Sequence, residues 1–342
     1  MSIEWSTQEL IKMNYEAWKA WAVQAAVTLG VFTAIDKLKG DATIETLARE
    51  IKAGRRGTDM IATAMTALGL VVRDGDKLGL TPFSAEFLSG LSPKYLGYVL
   101  VHMNQINPGW TQLARCVRSG TNARSLPALT ESEQAEVDAS RHRHFILGMY
   151  SVAMLQAGLV ADALDLSGAK RLLDLGGGPG TYAGFFCARN PSLEAVVFDR
   201  PISEEVALGV LDKLGVRDRV SFQGGDFLAS PLPQGFDVVW LSQVLHGEAP
   251  EGASLLVKRG VGAASPGGRV VIQEFVLDND RRGPQGPALF ALNMLVQTDG
   301  GKAYSYQEIE GMLRAAGITR VEELKGPFPP GNRIIVGHKD GA

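Results

Sequence analysis

The sequence is short of cysteine, of long apolar runs and of net charge, and each shortage removes a class of protein. Only Cys116 and Cys187 occur, far apart and outside any C-x-x-C spacing. That argues against a disulfide framework and a zinc cluster, so no metal site is expected and a reducing, cytoplasmic setting is. No apolar run approaches the ~18 residues that a membrane span needs. The N-terminal MSIEWSTQEL has no basic segment followed by an apolar core, so neither export nor a membrane partner is expected. The 34 basic and 37 acidic residues leave a formal charge of -3, which offers nucleic acid or anionic lipid no global attraction. What the chain does have is length: 342 residues, 45% of them hydrophobic, suffice for two cores, and two domains are expected.

Two territories differ in pattern. From residue 8 to about 118 the apolar spacing is three and four, as in Leu10, Met13, Ala17 and Trp21, then Ala25, Leu29 and Phe32; this half reads as mainly α. Within it, a helix, a turn at Gly54 to Gly57 and a second helix precede two β-prone pieces, LVVRD and KLGLT, joined by Asp74-Gly75-Asp76. Helix, turn, helix, hairpin is the outline of a winged helix. The polar stretch from about 119 to 140 is turn-rich and a further helix starts near Arg141, which places a domain boundary between 1–140 and 141–342.

From Lys170 onward the strand-like runs RLLDLG, LEAVVFD, VSFQGGD, FDVVWLS and GRVVIQEFVL alternate with helix-sized segments. Runs apolar on both faces imply an α/β, doubly wound, Rossmann-like domain with a parallel sheet covered on both sides. Ligands of such sheets sit beyond the carboxyl ends of the strands, where Asp174 to Gly180, Asp199, Asp226 and Ser242 to His246 fall. The loop LDLGGGPGTY departs from a dinucleotide fingerprint: Gly176 and Gly178 fit, but Thr181 takes the third glycine position and Asp174 stands two residues before the first. A carboxylate repels a pyrophosphate, whereas an ammonium and a sulfonium favour it. S-adenosylmethionine carries both cations. Asp199 is placed to accept ribose hydroxyls, a task common to both cofactor classes, and Asp226 with Phe227 to accept from an adenine amino group and pack on its ring.

The segments LLDLGGGPG, VVFDRP, GGDF, LSQVLH and PGGRVVIQE, in that order and spacing, resemble the S-adenosylmethionine-dependent small-molecule O-methyltransferases of the plant caffeate and hydroxyindole (acetylserotonin) type and their bacterial relatives. LDNDRRGP and LNMLVQTDGGKAYS are similar to the hydroxyindole branch, and GWTQLARCVRSG resembles the family's linking helix. The resemblance covers most of the chain. It implies an N-terminal winged-helix dimerisation domain, hence a homodimer whose N-terminal domain helps roof the pocket, and an aromatic small-molecule substrate. It implies His246 as general base oriented by Glu274, and Arg200 beside Asp199 among the cofactor residues. The helix from about Phe145 to Met154 would close over the cofactor, with Tyr150 reaching its methionine portion, while Met149, Asn293 and Met294 face the substrate. The family commonly reads His-Asp-Trp where this chain has His246-Gly247-Glu248. The second orienting glutamate of its plant members aligns with Ala303, and Ser242 stands where they often have lysine.

A neutral imidazole, with an ordinary pKa of ~6.5, can take the proton of a phenol with a pKa near ~10 as the oxygen attacks the sulfonium methyl. Transfer to nitrogen or carbon stays open at this level, as does a winged-helix regulator with a ligand-sensing α/β domain. Against the regulator, TDMIATAMTALGLV contains no Lys or Arg, and DNA readers need basic residues. His142 and His144 would not share a helix face, so they read as solvated surface rather than a metal pair. Met149, Met154, Met294 and Leu295 read as lining a core or an apolar pocket.

Overall fold

A computed structural model describes residues 5–123 and 131–341, with the helical backbone alone for 131–139. The chain packs as two compact units, Met1–Gln105 and Ile106–Ala342. The boundary expected near residue 140 thus lies inside the second unit, and much of the polar stretch from 119 to 140 falls outside the described residues.

In the first unit, α1 (Thr7–Thr28), α2 (Val31–Lys37), α3 (Ile44–Glu50) and α4 (Arg55–Ala67) precede the hairpin β1 (Val71–Asp74) and β2 (Lys77–Leu80), followed by α5 (Pro82–Phe87). Side-chain caps start three of these helices: Ser6 on α1, Thr43 with a reciprocal Thr46 bond on α3, and Thr81 ahead of Pro82 on α5, each satisfying an amide that the first turn leaves free. Gly75, at φ +55°, makes the hairpin turn that pairs Val71 with Leu80. Phe32, Ile35, Leu47, Met65, Val71 and Leu78 form the unit's core, so the winged-helix outline is present as expected. The stripe on α1 behaves differently. Of the stripe, Leu10, Met13 and Trp21 are exposed and Ala17 is only partly buried, and the helix buries only Gln24, Ala26 and Val27.

The helix α6 (Gly97–Trp110) runs into the second unit, where α7 (Leu113–Ser119), α8 (Glu131–Met154) and α9 (Ala157–Ala163) lead into the sheet. There β3 (Arg171–Leu175), α10 (Thr181–Arg189), β4 (Glu194–Asp199), α11 (Glu204–Lys213) and β5 (Val220–Gly224) are followed by β6 (Phe236–Ser242), α12 (Pro250–Ala263) and β7 (Ala264–Phe275). The chain ends with α13 (Gln285–Gln297), α14 (Tyr306–Ala315), β8 (Arg320–Leu324) and β9 (Asn332–His338). The strand order is β5-β4-β3-β6-β7-β9-β8. All pairs from β5 to β7 are parallel, and β9 is antiparallel to both β7 and β8.

The five expected strands are therefore present, but the sheet is mixed rather than parallel throughout. RVEEL, with its charged residues, has no buried apolar run, because β8 is an edge strand whose residues are only partly buried or exposed. Leu172, Trp240, Val271 and Ile334 bury one face of the sheet, and Leu173, Val239, Ile272 and Ile335 the other. The winding reverses between β3 and β6, the neighbouring strands at which crevices open in such folds. Among the described residues no single helix is long and apolar enough to cross a membrane.

Candidate active site

Two turns flank the reversal. After β3, Gly176 at φ +75° and Gly178 at φ +50° carry the chain into α10. A Cβ on Gly176 would lie 2.9 Å from Val244 in the turn beyond β6, and one on Gly177 would lie 2.5 Å from the Asp174 carboxyl carbon. Side chains are thus excluded from the loop by its neighbours as well as by its backbone angles. Beyond β6, Gln243 takes the left-handed φ of +52°, and its N–H donates to the Gln273 carbonyl at 2.8 Å. This bends the chain into the short turn Leu245–Gly247.

Two acids at neighbouring strand ends have opposite surroundings. The Asp199 carboxylate accepts from the Gly178 N–H at 2.8 Å, the Arg200 N–H at 2.7 Å and the Ser203 hydroxyl at 2.9 Å. It ties the glycine loop to β4. Asp174 is 1% exposed, and neither carboxylate oxygen has a partner of good hydrogen-bond geometry among the described residues. Burial pushes its pKa up to about 7, opposed by the nearby Ala183 backbone and reinforced by the charge of Asp199. An unpartnered buried acid held beneath a glycine turn is suited to a ligand that brings positive charge.

At the other turn, the Glu274 carboxylate meets His246 Nδ1 at 2.9 Å and accepts the His246 N–H at 3.2 Å and the Phe275 N–H at 3.0 Å. Glu274 is 1% exposed. An ionised carboxylate only accepts, so Nδ1 carries the proton and the lone pair resides on Nε2. Nε2 has no partner among the described residues. Phe290 meets the imidazole edge-on with centroids 4.7 Å apart, and Phe275 lies at 6.2 Å. The result is an imidazole with a defined tautomer, walled by aromatic rings.

Residues 110–319 match the O-methyltransferase domain family and residues 15–90 its dimerisation domain. The chain belongs to the O-methyltransferase family. It is 32% identical over 94% of its length to the 3-hydroxy-5-methyl-1-naphthoate 3-O-methyltransferase of Streptomyces sahachiroi, covering 92% of that protein. To human acetylserotonin O-methyltransferase it is 31% identical over 81% of its length and 82% of the relative's. The crystal structure of human N-acetylserotonin methyltransferase in complex with SAM superimposes with a TM-score of 0.85 at 27% identity, covering 99% of this chain and 100% of that one. The chain is an S-adenosylmethionine-dependent O-methyltransferase, and the regulator reading is set aside.

Around this methyltransferase's two turns the other expected residues are distributed unevenly. Ser242 donates to Gln273 Oε1 at 3.0 Å. Asp226 is exposed, with one carboxylate oxygen accepting the Leu228 N–H at 2.8 Å, while Phe227 packs on the core below the sheet. Ile146 of α8 lies 3.6 Å from where a Gly178 Cβ would be, so that helix does pass the glycine loop. Tyr150 packs with Ile146, Val206 and Val210, and Met149 is partly buried. Met294 is buried and Leu295 partly so, but Met154 is 38% exposed and lines no core. His142 is not the solvated residue that its spacing suggested. Its Nε2 lies 3.1 Å from Ser203 Oγ and its Nδ1 3.3 Å from Arg200, against the shell of Asp199. Burial, aided by Arg200, lowers its pKa. Helical spacing could not reveal this, because the partners come from the turn that follows β4.

The segment aligned with the missing second glutamate holds the base turn by other means. Ala303 is buried, and the next residue, Tyr304, donates its hydroxyl to the Glu248 carbonyl at 2.7 Å. Gly301 approaches so closely that a Cβ there would lie 2.4 Å from the His246 carbonyl oxygen and 2.6 Å from Thr298 Oγ1. The stretch carried part of the family resemblance in LNMLVQTDGGKAYS, but its contact with His246 is not readable from the sequence.

Two outcomes follow from these geometries. Gly301→Ala must displace the His246 turn, so the single-turnover rate of methyl transfer should fall by roughly tenfold or more; an unchanged rate would show that the turn is not seated by this contact. For Asp174, the unfolded chain ionises near 3.8 while the native group stays protonated up to about 7. Ligand-free protein should therefore lose stability relative to Asp174→Asn as pH rises across that window. Urea denaturation of both proteins at pH 5 and pH 8 reads the difference, and a gap independent of pH would contradict the buried, unpartnered carboxylate.

Proposed function

We propose that this enzyme moves the methyl group of S-adenosylmethionine to a hydroxyl of a flat aromatic small molecule, with His246 as general base and Glu274 as its positioning partner. The observation that carries the reading is the imidazole held by Glu274 at 2.9 Å with Nε2 unpartnered. Nε2 accepts the phenolic proton as the oxygen attacks, and Glu274 stabilises the imidazolium that forms. Phe275, Phe290 and Met294 supply apolar surface suited to a flat ring.

When bound, S-adenosylmethionine supplies an electrophilic methyl on a sulfonium. The fit rests on Asp174, whose orphaned carboxylate gains a cationic neighbour, and on Gly176 and Gly178, whose missing side chains leave the backbone open to a ligand. Asp199 and Arg200 would hold the ribose side, Asp226, Phe227 and Ser242 the adenine, and Tyr150 the methionine portion. Met149, Asn293 and Met294 would line the acceptor's side. Methyl transfer is assigned to Ile106–Ala342 and dimerisation to Met1–Gln105, following the packing units. A reducing compartment such as the cytoplasm suits the two free, buried cysteines.

A homodimer is the assembly we infer. Trp5, Leu10, Ile11, Met13, Trp18 and Trp21 are each about half exposed or more on and before α1, and an apolar stripe of that kind is suited to a protein partner. The dimerisation-domain match over residues 15–90 supports a second copy as that partner.

With methyl-labelled S-adenosylmethionine and a panel of phenols, naphthols and hydroxyindoles, His246→Ala should lose most turnover, roughly 100-fold or more. Its calorimetric affinity for the donor should persist. Equal turnover of variant and wild type across a pH series would remove His246 as the base. Light scattering at micromolar concentration should give a dimer for the wild type and a monomer for Trp18→Glu; a monomeric wild type would end the dimer proposal.

A further inference from the structure

We propose that His142 is a positioning residue for the cofactor site: its neutral form hydrogen-bonds helix α8 to the Asp199 clasp through Ser203, and its protonation releases that link and weakens binding of S-adenosylmethionine. The inference rests on the proposed placement of the cofactor beside Asp199, and adds to it a residue and a pH dependence.

Three contacts in series fix where each proton sits. The Ser203 hydroxyl lies 2.9 Å from Asp199 Oδ1, and an ionised carboxylate only accepts, so the hydroxyl proton points to Asp199. His142 Nε2, 3.1 Å from Ser203 Oγ, must therefore donate. Across the ring, Nδ1 lies 3.3 Å from the Arg200 guanidinium, which has no acceptor, so Nδ1 must accept. Both sides of the ring demand the same tautomer, neutral with its proton on Nε2. A relay thus runs from Arg200 through His142 and Ser203 to the carboxylate that also accepts the Gly178 N–H at 2.8 Å.

The same helix covers the glycine loop. His142 and Ile146 are one turn apart on α8 and share a face, and the Ile146 side chain lies 3.6 Å from where a Gly178 Cβ would be. One face of α8 therefore packs on the loop with a methyl group and grips the loop's acid through an imidazole. Ser203 is fully buried and Asp199 only 7% exposed, which leaves little solvent to substitute for a lost protein donor.

A second proton on the ring breaks the relay at Nδ1. The imidazolium has no lone pair for Arg200 and sets a cation against the guanidinium. Burial and Arg200 hold the His142 pKa below the usual histidine value, and Asp199 opposes them. The other described charges on the two helices that meet here are Arg141, Arg143 and His144 on α8 and Glu204 and Glu205 at the start of α11. Of these, Arg143 and Glu205 pair at 3.1 Å. The relay is therefore complete at neutral pH and is lost as pH falls through a value below ~6.5.

Calorimetric titration with S-adenosylmethionine at pH 8 and pH 5 tests this in the wild type, His142→Gln and His142→Leu. A glutamine amide offers a donor to Ser203 and an acceptor to Arg200 without titrating, whereas leucine offers neither. Asp174, protonated up to about 7, weakens cofactor binding on acidification in all three proteins. The readout is therefore the fold-change in Kd from pH 8 to pH 5, compared between proteins so that shared titrations cancel. It should be larger in the wild type than in either variant by roughly fivefold or more. At pH 8 His142→Leu should bind roughly fivefold more weakly than the wild type, and His142→Gln should recover part of that loss. In the cofactor-free protein, hydrogen exchange of residues 140–154, corrected for intrinsic rates, should show lost protection at pH 5 in the wild type but not in His142→Gln. Equal fold-changes in wild type and His142→Gln, or wild-type protection that does not differ between the two pH values, would overturn the relay and leave the methyl-transfer reading standing. Unaltered affinity in Asp199→Asn would instead overturn the placement of the cofactor and this inference with it.

Discussion

A buried carboxylate that holds a histidine ring in one tautomer is the constraint on which the chemistry proposed for this molecule depends. Glu274 can do so because it stands near the end of β7 with three donors around it, two of them backbone amides and one the ring itself. The bonds to His246 N and Nδ1 fix the turn and the imidazole together, so ring orientation and chain path are set by one side chain. Tyr304 and Gly301 seat the same turn from the segment after α13, through a hydroxyl-to-carbonyl bond and a close backbone approach. The place of a second glutamate is thus taken by packing and a neutral hydrogen bond. A neutral bond to a backbone carbonyl holds position without adding charge near His246, so in the proposed mechanism Glu274 alone supplies the carboxylate that stabilises a protonated ring.

The acids at the strand ends show how environment divides one residue type into two roles. Asp199 is bound by the glycine loop, by its own neighbour and by Ser203, which makes it a clasp between β3 and β4. Asp174, on the adjacent strand, has burial without donors, and its proton affinity rises accordingly. The first is a structural clasp; the second is buried without one, the setting that suits it to the cationic ligand proposed above. His142 joins the first group through Ser203 and Arg200, so helix α8 is connected to the cofactor side of the sheet by polar contacts as well as by Ile146.

Much of the fold was legible in the chain. The runs RLLDLG, LEAVVFD and FDVVWLS are buried on both faces, which is the pattern of interior parallel strands, and their spacing leaves room for crossing helices. The turn at Gly54 to Gly57 and the Asp74-Gly75-Asp76 turn marked the winged-helix outline for equally local reasons. The antiparallel edge was not legible: β8 has too little burial to impose an apolar pattern, and β9 owes its place to pairing with β7 across distant sequence. The stripe on α1 was read correctly as helical, but the single chain does not bury it, since periodicity reports an apolar face without saying what covers it.

By itself the sequence determined which residues stand at strand ends, because alternation and turn chemistry are local, and so it nominated Asp174, Asp199 and His246, to which the family resemblance added Glu274. Only the tertiary structure decided what surrounds each. Whether a carboxylate is clasped or orphaned, whether an imidazole keeps Nε2 free, and which way the Asn293 amide faces all depend on partners from distant segments, Ser203, Glu274 and Trp110 among them. Those contacts arise from the winding of the sheet and the packing of α6 on α13, and proton affinities and hydrogen-bond directions are set by such near neighbours rather than by residue type.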